Sequence, residues 1–307
     1  MAIEWILLGL IGFGTGICGV LIGAGGGFIL SPILLLYFGM PAESVVGTVY
    51  ALLAINSLSG GLTFLRMKVV DVRSAILFGV AALPGSIGAP FILKEIIKDS
   101  PSIFYILFGL VLVGLAARLL TQKELPEDVH ILDENHALGG HNKWKYYLSA
   151  NQTGKLMLTR NASRSITSGT GHIFRYSFNE YMTIGFNILL GFVSSFFGIG
   201  GGFLRTPILV YGFRFPVQVA VATSICAMMI YATAGAGVYA LLGDVIWFPT
   251  WLIGGIGLIL GGQIGARLTD KIKGPWIMRL LTVIVFILGI QLIFMEGFGL
   301  DLSSLRM

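Results

Sequence analysis

The chain has 307 residues, of which 55% are hydrophobic and 11% charged, and its mean hydropathy is +0.87. Soluble domains carry about 25% charged residues, so this composition excludes an ordinary soluble protein and indicates an integral membrane protein. The formal net charge of +5 does not indicate nucleic-acid binding, because the basic residues lie singly in short loops rather than in a patch with aromatic residues.

Five apolar segments precede a polar stretch, and five more follow it. The first five lie at about residues 4–22, 28–38, 43–65, 73–93 and 101–120. The second five lie at about residues 181–197, 203–213, 217–242, 246–268 and 275–295. Segments 28–38 and 203–213 are too short to cross about 30 Å of hydrocarbon as straight helices. We therefore predict a membrane repeat at 1–120, a polar insert at 121–180 and a second membrane repeat at 181–307.

The sequence of the first half recurs in the second half after a shift of 175 residues. GAGGGFILSP at 23–32 aligns with GIGGGFLRTP at 198–207. Ten of the nineteen positions from residue 23 to residue 41 are identical to their counterparts. A period this long does not suit a solenoid, whereas it is typical of the two halves of a transporter.

Loop charges indicate that the two halves have opposite orientations. The loop between the third and fourth segments carries Arg66, Lys68 and Arg73, whereas the equivalent loop of the second half carries Asp244. In the next loop along, the excess of Lys and Arg lies in the second half instead. Because Lys and Arg accumulate in cytoplasmic loops, equivalent loops are expected on opposite sides. The predicted fold class is an all-α membrane protein of two inverted repeats with Gly-rich broken or re-entrant helices. The insert is expected on the cytoplasmic side of the cytoplasmic membrane, and both termini outside.

The insert is nearly neutral and contains the four histidines of the chain, His130, His136, His141 and His172. Their spacing fits no metal-ligand pattern and no cysteine accompanies them, so we expect neither a metal site nor a cofactor. Alternating residues at 145–161 predict a small hairpin. The sequence SRSITSGTG at 163–171 is typical of a flexible loop.

The two glycine-rich sequences interrupt apolar segments, although glycine and proline destabilise helix interiors. Non-helical backbone at membrane depth is tolerated only where it is buried in protein or lines an aqueous cavity. Two such breaks at equivalent positions are typical of a transporter's substrate site. Close helix packing is the alternative. It explains the helically spaced Gly254, Gly257, Gly261 and Gly265 better than it explains the two glycine triplets.

The residues that follow the glycines predict the chemistry of the site. Ser31–Pro32 and Thr206–Pro207 each read as a helix N-cap followed by proline in the first turn. Each half would then point a helix N-terminus, with free N–H groups and the positive dipole end, at a break. Glycines let an oxyanion approach the backbone closely. The pattern therefore predicts an anion-binding site made by both halves.

Arg205 lies between the second glycine group and its Thr–Pro pair, where the first half has Leu30. An arginine at membrane depth is costly and usually functional, and its planar fork suits sulfonate, sulfite or carboxylate oxygens. The alternatives are an arginine that extends to the interface or pairs with a carboxylate. Thr48 and Thr223 are added to the site because they recur in both halves.

The predicted substrate-binding residues are Gly23, Gly25, Gly26, Gly27, Ser31, Thr48, Gly198, Gly200, Gly201, Gly202, Arg205, Thr206 and Thr223. Other polar residues inside apolar segments, among them Asn56, Ser224 and Tyr231, are left open. Such side chains often bond only to neighbouring helices.

Two copies of GxGGGFxxxP, at Gly23–Pro32 and Gly198–Pro207, resemble the TauE/SafE sulfite exporter family. Each copy is followed by a Pro-led loop and a helix that bears Thr or Ser, and the resemblance covers about 1–120 and 180–295. It implies a protein that moves a small sulfur oxyanion, such as sulfite or sulfoacetate, across the cytoplasmic membrane. The long insert departs from the family pattern.

We expect a secondary transporter that acts as an exporter by alternating access at the two breaks. Built-in ATP hydrolysis is not expected, since the chain has no P-loop. An anion channel that uses the same helix ends and a membrane sensor that acts through the insert are the alternatives. An enzyme is not expected, because the histidines lie in the insert and the carboxylates near segment ends. The expected partners are a small anion and membrane lipid, not nucleic acid. A homodimer and coupling to protons are left open.

Overall fold

The computed structural model of the chain describes residues 2–99, 101–121, 162–169, 173–269, 282–283 and 286–293. Within these ranges six helices are long and apolar enough to cross a membrane. Long apolar runs form helices in such an environment because a helix satisfies its own backbone N–H and C=O groups.

The first half of the chain forms five helices whose bounds agree with the predicted segments to within two residues, except that the fourth helix extends six residues beyond the predicted end at 93. They are α1 (Ala2–Ile22), α2 (Gly27–Leu36), α3 (Ala42–Met67), α4 (Val72–Asp99) and α5 (Pro101–Thr121). The ten residues of α2 extend only about 15 Å. This helix is therefore too short to cross a bilayer alone, as the sequence predicts.

Up to residue 269, the described part of the second half forms four helices and two π-helical turns. The helices are α6 (Glu180–Phe197), α7 (Gly202–Pro207), α8 (Val217–Leu241) and α9 (Leu252–Leu268). A π-helical turn at Ile208–Gly212 continues α7, and another at Trp247–Trp251 precedes α9. Residues 282–283 and 286–293 are also helical. The rest of the predicted segment 275–295 lies outside the described residues.

Two antiparallel strands lie in the insert, β1 (Ala162–Thr167) and β2 (Ile173–Phe178). The prediction of a flexible loop is therefore wrong for residues 163–167. Alternate residues of β2, namely Phe174, Tyr176 and Phe178, are buried, so the strand has the period of two of a half-buried sheet. Among the described residues, this hairpin is the departure from the predicted all-α class. The hairpin predicted at 145–161 and the four histidines lie outside the described residues.

Aromatic and charged contacts anchor the hairpin to the membrane helices. Tyr176 Oη donates to Asp71 Oδ2, in the α3–α4 connection, at 2.9 Å. Arg164 forms ion pairs with Asp71 and with Glu180 at the start of α6. The Tyr176 ring packs on Phe215, beyond the first π-helical turn, with 4.3 Å between centroids. Burial and the Asp71 carboxylate raise the pKa of Tyr176, so its phenol stays protonated and keeps its donor role.

Helices α1 and α9 pack closely through glycine. A Cβ on Gly257, Gly261 or Gly265 of α9 would overlap a carbonyl oxygen of α1. These contacts confirm close packing as the reason for the helically spaced glycines. Gly254 contributes differently, because its carbonyl oxygen is the group that a Cβ on Gly12 would overlap.

Helices α3 and α8 lie at the centre and are the most deeply buried of the six long helices. Tyr50, near the start of α3, packs on Tyr239, near the end of α8. Farther along α3, the Gly61 carbonyl oxygen lies 3.7 Å from the Cys226 sulfur, in the first part of α8. The two helices therefore run antiparallel.

Candidate functional site

The chain leaves the helical conformation at both glycine-rich sequences. Gly23, Gly25 and Gly26 have φ of 80°, 76° and 95°, and Gly198 and Gly200 have φ of 63° and 72°. A side chain in this left-handed region is strained, whereas glycine is not. The predicted helix breaks are thus present between α1 and α2 and between α6 and α7.

The two breaks lie directly against each other. A Cβ on Gly27 would be 2.7 Å from the carbonyl oxygen of Gly198, and a Cβ on Gly202 would overlap the carbonyl oxygen of Gly23. Gly27 and Gly202 occupy equivalent positions in the sequence duplication, as do Gly23 and Gly198. The two contacts, Gly27 with Gly198 and Gly202 with Gly23, are therefore equivalent by the sequence duplication. Absence of side chains is what permits this approach.

Side chains from the flanking helices bridge the two breaks. Ser31 Oγ donates to the Gly198 carbonyl oxygen at 3.0 Å, and Ser224 Oγ donates to the Gly23 carbonyl oxygen at 3.1 Å. On Asn56, Nδ2 donates to the Gly25 carbonyl oxygen at 2.7 Å. These bonds satisfy carbonyls that the breaks leave without helical partners.

Ser31 and Thr206 are not helix N-caps, contrary to the prediction. Helix α2 begins at Gly27 with Gly26 as its N-cap, and α7 begins at Gly202 with Gly201 as its N-cap. The Gly26 carbonyl oxygen already accepts from Leu30 N at 3.1 Å, so the first turn closes ahead of the Ser–Pro pair. Ser31 and Thr206 are consequently inside helices, at 0% exposure.

Arg205 is buried beside the second break, with 1% of its surface exposed. Nε donates to Asn187 Oδ1 at 2.6 Å, and Nη1 lies 3.4 Å from both the Ser224 carbonyl oxygen and Tyr231 Oη. Its Cζ also lies 4.9 Å from the centroid of the Tyr231 ring. Among the described residues, no carboxylate forms an ion pair with Arg205. The side chain neither extends to the interface nor is neutralised by a described carboxylate.

Four buried polar atoms next to the breaks have no hydrogen-bond partner among the described residues. They are Arg205 Nη2, Thr206 Oγ1, Ser194 Oγ and Asn56 Oδ1. Thr206 Oγ1 faces the first break, since a Cβ on Gly23 would lie 2.5 Å from it. Buried polar groups are almost always paired. Unpaired polar groups beside a gap in the helical backbone are typical of a binding site for a polar ligand.

Thr48 and Thr223 bond to interhelical loops. Thr48 Oγ1 accepts from Ile246 N at 2.8 Å, and Thr223 Oγ1 accepts from Asp71 N at 3.1 Å. Each threonine therefore fixes the loop between the third and fourth segments of the opposite half. The structure brings the other predicted residues together at the breaks, and these two hydroxyls are directed elsewhere.

Asn187 is the main residue that sequence reasoning missed. It lies in α6, is 1% exposed and holds Arg205 Nε. Its signal in the sequence was a lone amide inside an apolar segment, eighteen residues before the arginine. Ser224, Tyr231 and Asn56, which the sequence left open, also contact the breaks or Arg205.

The site thus combines one buried guanidinium, neutral donors and two glycine breaks, which is the chemistry of anion binding. A sequence model of the family described as Sulfite exporter TauE/SafE matches residues 8–292. The chain is 25% identical over 302 residues to the probable membrane transporter protein YunE of Bacillus subtilis, covering 96% of this chain and 98% of that protein.

A probable membrane transporter protein of Methanocaldococcus jannaschii is 26% identical, over 92% of this chain and 93% of its own length. One of Xylella fastidiosa is also 26% identical, over 86% and 83%. No solved structure matches the chain. With six apolar helices of spanning length, these similarities make the chain a multi-pass membrane protein related to transporters.

Proposed function

We propose that this chain, which belongs to the TauE/SafE sulfite exporter family, is a secondary transporter of a small sulfur-containing oxyanion. The observation that carries the proposal is Arg205, a buried cation without a described carboxylate partner at the junction of the two breaks. A buried charge without a partner is strongly destabilising. A substrate anion would supply the missing charge whenever it is bound.

The helix ends at the breaks add to the attraction for an anion. The N-terminus of α2 opens on the first break at Gly26 and Gly27, and N–H groups and the dipole at such an end favour negative charge. The N-terminus of α7 opens on the second break at Gly201 and Gly202, and the π-helical turn continues that helix. Arg205 adds a full positive charge on that side.

Alternating access is the mechanism we propose, with the two halves as inverted repeats. Reciprocal contacts support this arrangement, since each half contacts the other through equivalent glycines and equivalent threonines. The antiparallel course of α3 and α8, which are equivalent in the duplication, also supports it. Thr223 and Thr48 would then fix one loop at each end of the molecule, and release of one loop at a time would open one side.

The experiment is uptake of radiolabelled sulfite, sulfate, sulfoacetate and acetate into proteoliposomes, with and without a proton gradient. We expect saturable flux of a sulfur anion by the wild type. Arg205→Ala should lower kcat/KM at least a hundredfold, since a lost charge-assisted pair is worth roughly 3 kcal/mol or more. Arg205→Lys should retain part of the flux, because it keeps the charge but not the planar fork.

Arg214→Gln is the matched control, because it removes a positive charge from an exposed position nine residues away. It should transport like the wild type. Size-exclusion profiles and circular dichroism establish that each variant is folded. If folded, correctly inserted wild-type protein moves none of the anions, the proposed function is wrong. Flux that does not saturate would instead indicate a channel.

A further inference from the structure

We propose that Asn187 is a positioning residue for Arg205. Its neutral amide holds the guanidinium and leaves the positive charge to pair with a singly charged anion. This inference rests on the proposed function, and it names the charge class of the substrate. Its basis is the way in which α6, α7 and α8 surround the guanidinium.

The amide of Asn187 is itself fixed. Its Nδ2 donates to the Thr183 carbonyl oxygen, one helical turn earlier in α6, at 2.7 Å. The amide oxygen must therefore face the other way, where it accepts from Arg205 Nε at 2.6 Å. Both side chains are 1% exposed, so bulk solvent competes little for this bond. Asn187 consequently sets the direction in which the guanidinium points.

The bond to Asn187 engages only the Nε group of the Arg205 guanidinium. Nη1 makes two long contacts of 3.4 Å, to the Ser224 carbonyl oxygen and Tyr231 Oη. Nη2 has no hydrogen-bond partner among the described residues. The Tyr231 ring supports the guanidinium from one side, 4.9 Å from Cζ to the ring centroid. Nη2, next to the weakly bonded Nη1, is thus the part of the guanidinium available for the oxygens of a sulfonate or hydrogensulfite group.

The neutrality of Asn187 decides the charge of the site. Aspartate has nearly the same shape, and at position 187 its carboxylate would pair with the guanidinium inside a buried site. The site would then carry no net charge, and a further anion would be left without a counter-charge. With asparagine, one positive charge matches one negative charge. A doubly charged anion would keep one uncompensated negative charge in the same buried position.

Asn187→Asp separates this role from a merely structural one. If Asn187 and Arg205 together only stabilise the fold, the variant, which gains an ion pair, should bind and transport anions as the wild type does. If the bond reserves the charge, the variant should fold with an unchanged or higher melting temperature and still lose anion binding. We expect its affinity for methanesulfonate, a permanent monoanion, to fall at least fiftyfold in detergent.

Asn179→Asp is the matched control. It makes the same chemical change in the same stretch of chain, at the N-cap of α6, where Asn179 Oδ1 accepts from Met182 N. Asp and Asn are equally good N-caps, so affinity and melting temperature should stay at wild-type values. Asn187→Ser gives a second test because it remains neutral. It should lose less than tenfold in affinity, since only the orientation of the guanidinium is relaxed.

A comparison within the wild type tests the charge class without any variant. Methanesulfonate should bind at least tenfold more tightly than sulfate, a dianion of similar size. Tighter sulfate binding, or wild-type affinity in folded Asn187→Asp, would overturn the inference while leaving anion transport intact. A wild type that neither binds nor moves any anion would instead overturn the proposed function. If Asn187→Asp does not fold, Asn187→Ser and the sulfate comparison still decide.

Discussion

At the scale of single residues, the two halves share a backbone design but differ in charge. Leu30 and Arg205 occupy equivalent positions, and both are buried at 1% exposure. A site at the contact between the halves therefore receives one guanidinium, not two. Two guanidiniums at this contact would repel each other in a low-dielectric environment. In the proposed site, this asymmetry would make a single bound anion sufficient for neutralisation.

Gly202 offers a direct test of the close approach between the breaks. In Gly202→Ala the new methyl group would overlap the carbonyl oxygen of Gly23, a backbone atom that cannot rotate away. We expect a loss of stability of about 1–3 kcal/mol from this overpacking, read as a lower melting temperature in detergent. Gly237→Ala in α8 is the control, because a Cβ there meets nothing within 4 Å. It should be neutral or gain up to about 1 kcal/mol from helix propensity. Equal melting temperatures in the two variants would contradict the packing argument.

The glycine positions were predictable from sequence because positive φ and backbone contact leave a local signature. Asn187 was not, because its contact with Arg205 depends on how α6 and α7 lie after the break between them. Thr48 and Thr223 were predicted as binding residues because they recur in both halves. A duplication, however, repeats residues that fix loops as well as residues that bind a ligand.

At the scale of elements, the glycines alone determine where α2 and α7 start. The Ser–Pro and Thr–Pro pairs look like helix starts because proline favours the first turn. In the structure Gly26 and Gly201 already provide the turn, and Pro32 and Pro207 lie inside the helices. The observed hairpin of β1 and β2 was not predicted, for a related reason. Its first strand is rich in serine and threonine, and only the aromatic alternation of β2 reveals a partner.

The anchoring of the hairpin leads to a prediction for Arg164. The residue forms ion pairs with two buried carboxylates, Asp71 at 5% and Glu180 at 1% side-chain exposure. Removal of one partner from a buried pair costs about 3–5 kcal/mol, so Arg164→Ala should lower the melting temperature markedly. Tyr176→Phe removes one bond to Asp71 and should cost less, about 1.5–3 kcal/mol. Ser177→Ala, on the exposed face of the same strand, is the control and should behave as the wild type. If Arg164→Ala melts with the control, the ion pairs do not anchor the hairpin.

At the scale of the whole molecule, a short series of contacts connects the hairpin to the candidate site. Tyr176 and Arg164 hold Asp71, and the Asp71 backbone N–H donates to Thr223 in α8. The neighbouring Ser224 bonds to the Gly23 carbonyl oxygen and lies next to Arg205. The insert therefore contacts the same loop that Thr223 fixes. On the other loop, Lys94 pairs with Asp244 at 3.1 Å. Charged contacts thus hold both loops whose release alternating access would require.

The proposed inverted arrangement predicts that these two loops lie on opposite sides of the membrane. Arg66, at the end of α3, and Leu241, at the end of α8, are both exposed and are equivalent in the duplication. Single-cysteine variants Arg66→Cys and Leu241→Cys can be made after Cys18 and Cys226 are replaced by alanine. A membrane-impermeant maleimide should label Leu241→Cys in intact cells, and Arg66→Cys only after permeabilisation, since Lys68 and Arg73 remain to hold that loop in the cytoplasm.

The pattern of labelling tests the orientation of the protein in the membrane and the inverted arrangement of its halves separately. Labelling of Arg66→Cys alone in intact cells would reverse the proposed orientation but keep the halves inverted. Labelling of both variants from the same side would contradict the inverted arrangement, and with it the proposal that each loop closes a different entrance. The cysteine-free parent must remain unlabelled throughout.

Ser165→Cys in the hairpin should behave as Arg66→Cys does, because the hairpin packs on the α3–α4 connection. Agreement between these two positions would place the insert at the entrance that Asp71 and Thr223 close.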